Sequence, residues 1–138
     1  MSNMKYLTGI HALNTTCNLN TFGDWHSTAI QWEHPHENES TNSLWGDYGI
    51  ETDRTIPFCK GVHNVANHIR ACLDMLLFRQ FSLLQGMRKD FIGVEEYDNL
   101  IFDKVSKLKK MSYWNEVDAF MEKEYLMKWV NYRKRNDL

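Results

Sequence analysis

Apolar positions along this chain follow two rhythms, and the change falls near Pro57. Before it, apolar runs are short and broken by Gly, Asn, Thr and Ser. Tyr6–Leu13, Thr28–Trp32 and Tyr48–Ile56 read as strands or extended loops. Turn-rich pieces such as TTCNLNT and HENESTNS lie between them. From residue 61 the period becomes helical. Val62, Val65, Ile69, Leu73 and Leu76 cluster on one side at about 100° per residue, which predicts a helix over 62–84 with Gly86 as its stop. A second helix is predicted over 94–110, with Glu95 and Glu96 in its first turn and Lys104, Lys107, Lys109 and Lys110 at its end, as the helix dipole favours. A third is predicted over 113–133, capped by Ser112, with Trp114, Val117, Phe120 and Met121 buried and Glu124 paired with Lys128. The expected fold class is α+β: an irregular or β-containing N-terminal half (1–60) packed on three C-terminal α-helices (61–138) in one domain.

Composition changes this picture little, except in charge. The net charge of −2 gives no strong field for nucleic acid. Residues 1–60 carry three Lys/Arg against seven Asp/Glu, a net of −4; residues 61–138 carry thirteen against eleven, a net of +2. Three cysteines without a CxxC pair fit free thiols in a reducing compartment. The N-terminus lacks the basic-then-apolar pattern of a signal peptide, and no apolar run approaches the ~20 residues that span a bilayer. The expectation is a cytoplasmic protein without a membrane partner.

Candidate chemistry concentrates in the histidines, all six of which lie between residues 11 and 68. His34-Pro35-His36 has metal-ligand side chains nearby but no standard metal spacing, and a solvated loop is the simpler account. His26 follows Gly23-Asp24-Trp25 and is expected to be fixed by that turn. Phe22-Gly23-Asp24-Trp25 is echoed by Trp45-Gly46-Asp47-Tyr48, which suggests two matching turns anchored by their rings. Cys59, His63, His68 and Cys72 make no zinc site on a single helix, because His63 and His68 are about 140° apart on the wheel. His63, Asn67, Arg70 and Asp74 do align, within about 60° and opposite the apolar stripe. Such a line suits anion binding, acid–base work or an exposed polar ladder. Cys17 has no base beside it in sequence, so nucleophilic catalysis has little support. The basic groups Arg88, Lys89, Arg133, Lys134 and Arg135 suit an acidic or phosphate-bearing partner, or merely complete helix ends.

The segments GIHALN (9–14), GDWH (23–26), GDYGIE (46–51), VANHIRACLD (65–74), QGMRKDFI (85–92) and KEYLMKW (123–129) together resemble small bacterial proteins of defence or toxin–antitoxin gene clusters. The resemblance names no enzyme activity and carries over no catalytic residues. It implies an intracellular accessory protein that works by binding a partner protein. Contact residues for that function would be Trp25, Asn67, Asp74, Arg88, Arg133, Lys134 and Arg135. The alternative is a metal-assisted or acid–base hydrolase or nuclease using His11, Asp24, His26, His63 and Arg70. A nucleic-acid-binding module is the third reading. No cofactor is specified by any motif. Convergence of the histidines in one cleft would favour the enzyme; scatter would disfavour it.

Overall fold

The computed structural model describes residues 4–42 and 44–138. It is an α+β fold. A four-stranded mixed sheet of order β2-β1-β4-β3 is built from β1 (Lys5–Leu7), β2 (Glu37–Glu39), β3 (Ile50–Ile56) and β4 (Cys59–Ala66). β1 runs antiparallel to β2 and parallel to β4, and β3 and β4 form a hairpin. The helices are α1 (Gly9–Leu13), α2 (His68–Leu77), α3 (Phe81–Leu84), α4 (Asp98–Val105), α5 (Trp114–Tyr125) and α6 (Met127–Arg135). One continuous apolar core joins Tyr6 and Leu7 of the sheet to Ile69, Leu73 and Leu76 of α2 and Trp129 of α6. Among the described residues no helix is long and apolar enough to cross a membrane.

Two of the three strand expectations in the N-terminal half change. The strand expected over 6–13 ends at Leu7, because Gly9 (φ +65°) turns the chain into α1. Thr28–Trp32 contains no strand; Ser27–Ala29 is a single 3-10 turn, held by Ala29 N donating to His26 O. Tyr48–Ile56 does contain a strand, β3.

The largest difference lies over residues 62–66, expected as the first turn of a long helix. They are the end of β4, where Val65 pairs with both Leu7 and Glu51. Val62 and Val65 have helical spacing and fall on opposite faces of the strand, but β-branched valines favour the strand once a sheet is available. The helix starts at His68, where Asn67 Oδ1 accepts from Arg70 N at 2.8 Å as an N-cap. It stops at Leu77, ahead of Arg79 at φ +60°. Val62, expected on the buried stripe, is exposed. The helix expected over 94–110 begins later, at Asp98, and its lysine-rich end is a 3-10 turn, Ser106–Lys110.

The helix expected over 113–133 is two helices with an elbow at Leu126. Tyr113, not Ser112, occupies the N-cap, without a side-chain bond. The elbow also separates Glu124 from Lys128. Glu124 accepts from the backbone amides of Gly86 and Arg88, while Lys128 pairs with Glu95 and Asp98. Leu126 sits at φ 56°, ψ −133°, a conformation that suits glycine. Its side chain is 58% exposed, so core packing does not justify the strain. Leu126→Gly should therefore raise stability by about 1 kcal/mol, strain relief exceeding glycine's extra unfolded-state entropy. Chemical denaturation checks this; a loss of stability would show that the elbow is held by the leucine side chain.

Candidate functional site

The loop from Asn14 to His26 joins α1 to the 3-10 turn and wraps round one buried side chain, His68 at the start of α2. His68 is 1% exposed. Its Nε2 lies 2.7 Å from Thr15 O, and its Nδ1 lies 2.7 Å from Thr21 Oγ1. A carbonyl oxygen only accepts, so Nε2 carries the proton and Nδ1 is left as the acceptor of the Thr21 hydroxyl. Gly23 passes directly over the ring: a Cβ there would stand 2.8 Å from His68 Cε1 and 2.9 Å from Leu13 O. Glycine at φ +76° is what allows this approach.

Cys17 belongs to the same cluster. Its Sγ is 3.5 Å from Thr21 Oγ1. Partial burial pushes its thiol up, but the neighbouring His68 and the hydrogen bond with Thr21 outweigh that and bring it from 9.0 down to about 7. His68 is raised above its ordinary value: burial opposes this, and the nearby Cys17, the hydrogen bond to the Thr15 carbonyl and the charge of Glu51 prevail. The base that Cys17 lacks in sequence comes from α2. Sequence reasoning missed His68, Thr15 and Thr21. The sign that was available was the NT pair on either side of Cys17, whose meaning depends on a partner 47 positions away.

The far side of the loop is the GDWH turn. Gly23 N donates to Phe91 O at 2.8 Å, Asp24 N to Leu13 O at 2.7 Å, and His26 N to Asn14 Oδ1 at 2.7 Å. Asn14 Nδ2 also donates to Asp24 Oδ2 at 3.3 Å. His26 Nδ1 is hydrogen-bonded to Asp24 Oδ1, so these two expected site residues do meet, with the His26 side chain three-quarters exposed. The echoed turns share a left-handed glycine, Gly23 and Gly46. They differ in their rings. Trp45 is buried and donates to Lys104 O at 3.1 Å, as expected of an anchor. Phe22 and Trp25 are 50% and 65% exposed, so the first turn displays its rings instead of burying them.

The remaining expected catalytic residues lie apart from this turn in their contacts. His11 is buried; Nε2 donates to Gln31 O at 2.6 Å, Nδ1 accepts from His36 N at 3.1 Å, and its ring meets Trp32 edge-on. Both nitrogens are occupied in holding α1 to the 31–36 loop. His36, expected as a wet-loop residue, is half-buried beside Gly9 and Phe78, and burial followed by the charge of His11 lowers its basicity; His34 is exposed. His63 is on β4, 2.7 Å from Lys60 O. The line His63–Asn67–Arg70–Asp74 does not exist as a helical face, because the first two precede α2. Arg70 and Asp74 are 0% exposed and form a core network with Tyr6 and Thr8. Among the described residues no three His, Cys, Asp or Glu side chains converge as metal ligands.

Of the expected partner contacts, Trp25, Lys134 and Arg135 are exposed. Asn67 and Asp74 are buried. Arg88 is turned inward, its Nε 2.7 Å from Glu124 O. Arg133 is committed to Asp118 and Glu122 at 2.8 and 2.9 Å. Comparison with protein-family models, curated proteins and solved structures finds no match to this chain.

Proposed function

We propose that this chain is a partner-binding protein whose anchor is the GDWH turn, with Trp25 as its central contact and a second protein as its partner. The observation that supports this is a tryptophan 65% exposed on a turn whose flanking amides are hydrogen-bonded to α1 and to residues 91–92. Exposed tryptophans are unusually strong interface anchors. A turn already fixed loses little freedom when it docks. The acidic N-terminal half, net −4 over residues 1–60, suits a basic partner surface. Membership of a bacterial defence or toxin–antitoxin system, and work in the cytoplasm, belong to the same proposal through the resemblance stated above. The hydrolase alternative retains the Asp24–His26 pair with Asn14 bonded to both residues, and the nucleic-acid alternative retains Lys134 and Arg135.

Co-expression with the products of its neighbouring genes tests the reading. A complex should survive gel filtration at physiological salt. Trp25→Ala should weaken it by about thirtyfold or more, the loss of a contact worth about 2 kcal/mol, with the unfolding temperature unchanged. A chain that elutes alone, or a complex indifferent to Trp25→Ala, overturns it.

A further inference from the structure

The Cys17–Thr21–His68 cluster has no part in the docking surface. Its three side chains come from two distant segments and form a directed chain. Thr15 O fixes the proton on His68 Nε2, Nδ1 accepts from the Thr21 hydroxyl, and the Thr21 oxygen stands 3.5 Å from Cys17 Sγ. The imidazole is sealed in the core while Cys17 keeps partial access to solvent. We propose that Cys17 is a thiol–disulfide exchange site that takes a small soluble disulfide, with His68 as its proton acceptor through Thr21.

Thr21 passes its hydroxyl proton to His68 Nδ1 and takes the thiol proton from Cys17 Sγ, leaving a thiolate. The thiolate attacks one sulfur of the disulfide; a new S–S bond forms as the old one breaks. The leaving thiolate recovers the proton from the imidazolium by the same route. One disulfide is consumed, one mixed disulfide forms on Cys17, and one small thiol departs. The charge of Glu51 supports the imidazolium in between.

Disulfide is favoured over an acyl substrate by the local amides. Acyl transfer needs N–H donors for an oxyanion. The amide following Cys17, Asn18 N, is already donating to Glu51 Oε2 at 2.8 Å, so a carboxylate stands where an oxyanion would seek its donor. Exchange at sulfur needs no such donors. An attacking thiol whose pKa is near ambient pH is also the most efficient in exchange. The disulfide partner is external: Cys72 is sealed in the core, where burial pushes its thiol up, and Cys59 sits at the start of β4 while Cys17 lies on the Asn14–His26 loop.

The test uses the whole chain and the aromatic disulfide dithionitrobenzoate, followed by the colour of the released thiolate and by peptide mapping. The first equivalent should land on Cys17, with a rate midpoint near pH 7; in denaturant the same cysteine should titrate near its ordinary 9.0. His68→Gln should move the native midpoint up towards that value. At neutral pH the rate should fall about fivefold, since far fewer thiolates are only partly offset by their greater nucleophilicity. Thr21→Val, which leaves the His68–Thr15 bond in place, should shift the midpoint in the same direction and serves if His68→Gln does not fold. First reaction at Cys59, coincident native and denatured midpoints, or a midpoint that stays near 7 in Thr21→Val would each overturn the proposal.

Discussion

Replacing Arg70 with alanine should cost about 3–5 kcal/mol of stability, the toll for stranding one member of a buried ion pair. Arg70 is fully enclosed, yet its guanidinium is almost completely satisfied. Nε donates to Asp74 Oδ1 at 3.1 Å, Nη1 to the carbonyls of Gly46 and Tyr48, and Nη2 to Tyr6 OH at 2.8 Å. The rings of Tyr6 and Trp45 lie 5.0 and 6.0 Å from its centre. Asp74 completes the set, accepting from Tyr6 OH at 2.6 Å and Thr8 Oγ1 at 2.8 Å. Alanine removes the only cation in that network and leaves the carboxylate buried with two neutral donors. It also orphans the carbonyls that tie the 46–48 turn to α2. Denaturant unfolding measures the effect. A double change, Arg70→Met with Asp74→Leu, should recover part of the loss, because neither charge remains; full recovery is not expected while the carbonyls lack donors. A loss below about 1 kcal/mol for Arg70→Ala would mean that water reaches the site and replaces the guanidinium.

Gly23→Ala should cost about 2–4 kcal/mol. Of this, about 1–2 kcal/mol is the left-handed backbone, and the rest is crowding. The new methyl would meet a buried imidazole and a backbone carbonyl, at 2.8 and 2.9 Å, and neither is the free end of a flexible chain. Leu13 O is already accepting from Asp24 N, so moving it loosens the turn that holds Trp25. The amides of Gly23, Asp24 and His26 should exchange faster with solvent in the variant, and the tryptophan emission should report a more mobile ring. Gly61→Ala is the control. Gly61 has φ +94°, but its Cβ would meet only His63 Nε2 at 3.8 Å, so it should show the backbone cost alone. Equal losses at the two glycines would show that His68 and Leu13 yield freely.

These two sites mark where the sequence was legible and where it was not. The helical wheel correctly put Ile69, Leu73 and Leu76 on the buried side of α2. It placed Arg70 and Asp74 on the opposite side and so read them as solvent-facing. That side of α2 is also covered, by β1 and the 46–48 turn, so both faces of the helix are interior. A wheel ranks the faces of one element against each other; it has no information about what a later or earlier segment lays on top. The GDWH motif was legible as a fixed turn, and Asp24 does meet His26. Trp25 carried two readings, an anchor of the turn and a partner contact, and only the neighbouring space decides for the exposed one.

Short-range chemistry is what the sequence by itself determined: the α+β class, the glycine turns, the apolar stripe of α2, and the absence of a standard metal spacing in the histidine-rich loop; the division placed near Pro57 falls instead at Asn67, because Pro57 lies in the β3–β4 hairpin. Tertiary structure decided the rest. Residues 62–66 became a strand because β1 and β3 supplied partners for their amides, which outweighs a helical period shared by only two valines. The six histidines divided into structural and exposed groups according to which carbonyls and amides met each ring. Cys17 acquired a base because the Asn14–His26 loop closes over the first residue of α2. The physical reason is common to all three. Propensity and periodicity act over a few residues, whereas burial, hydrogen-bond satisfaction and proton affinity are set by whatever the chain brings alongside from far away in sequence.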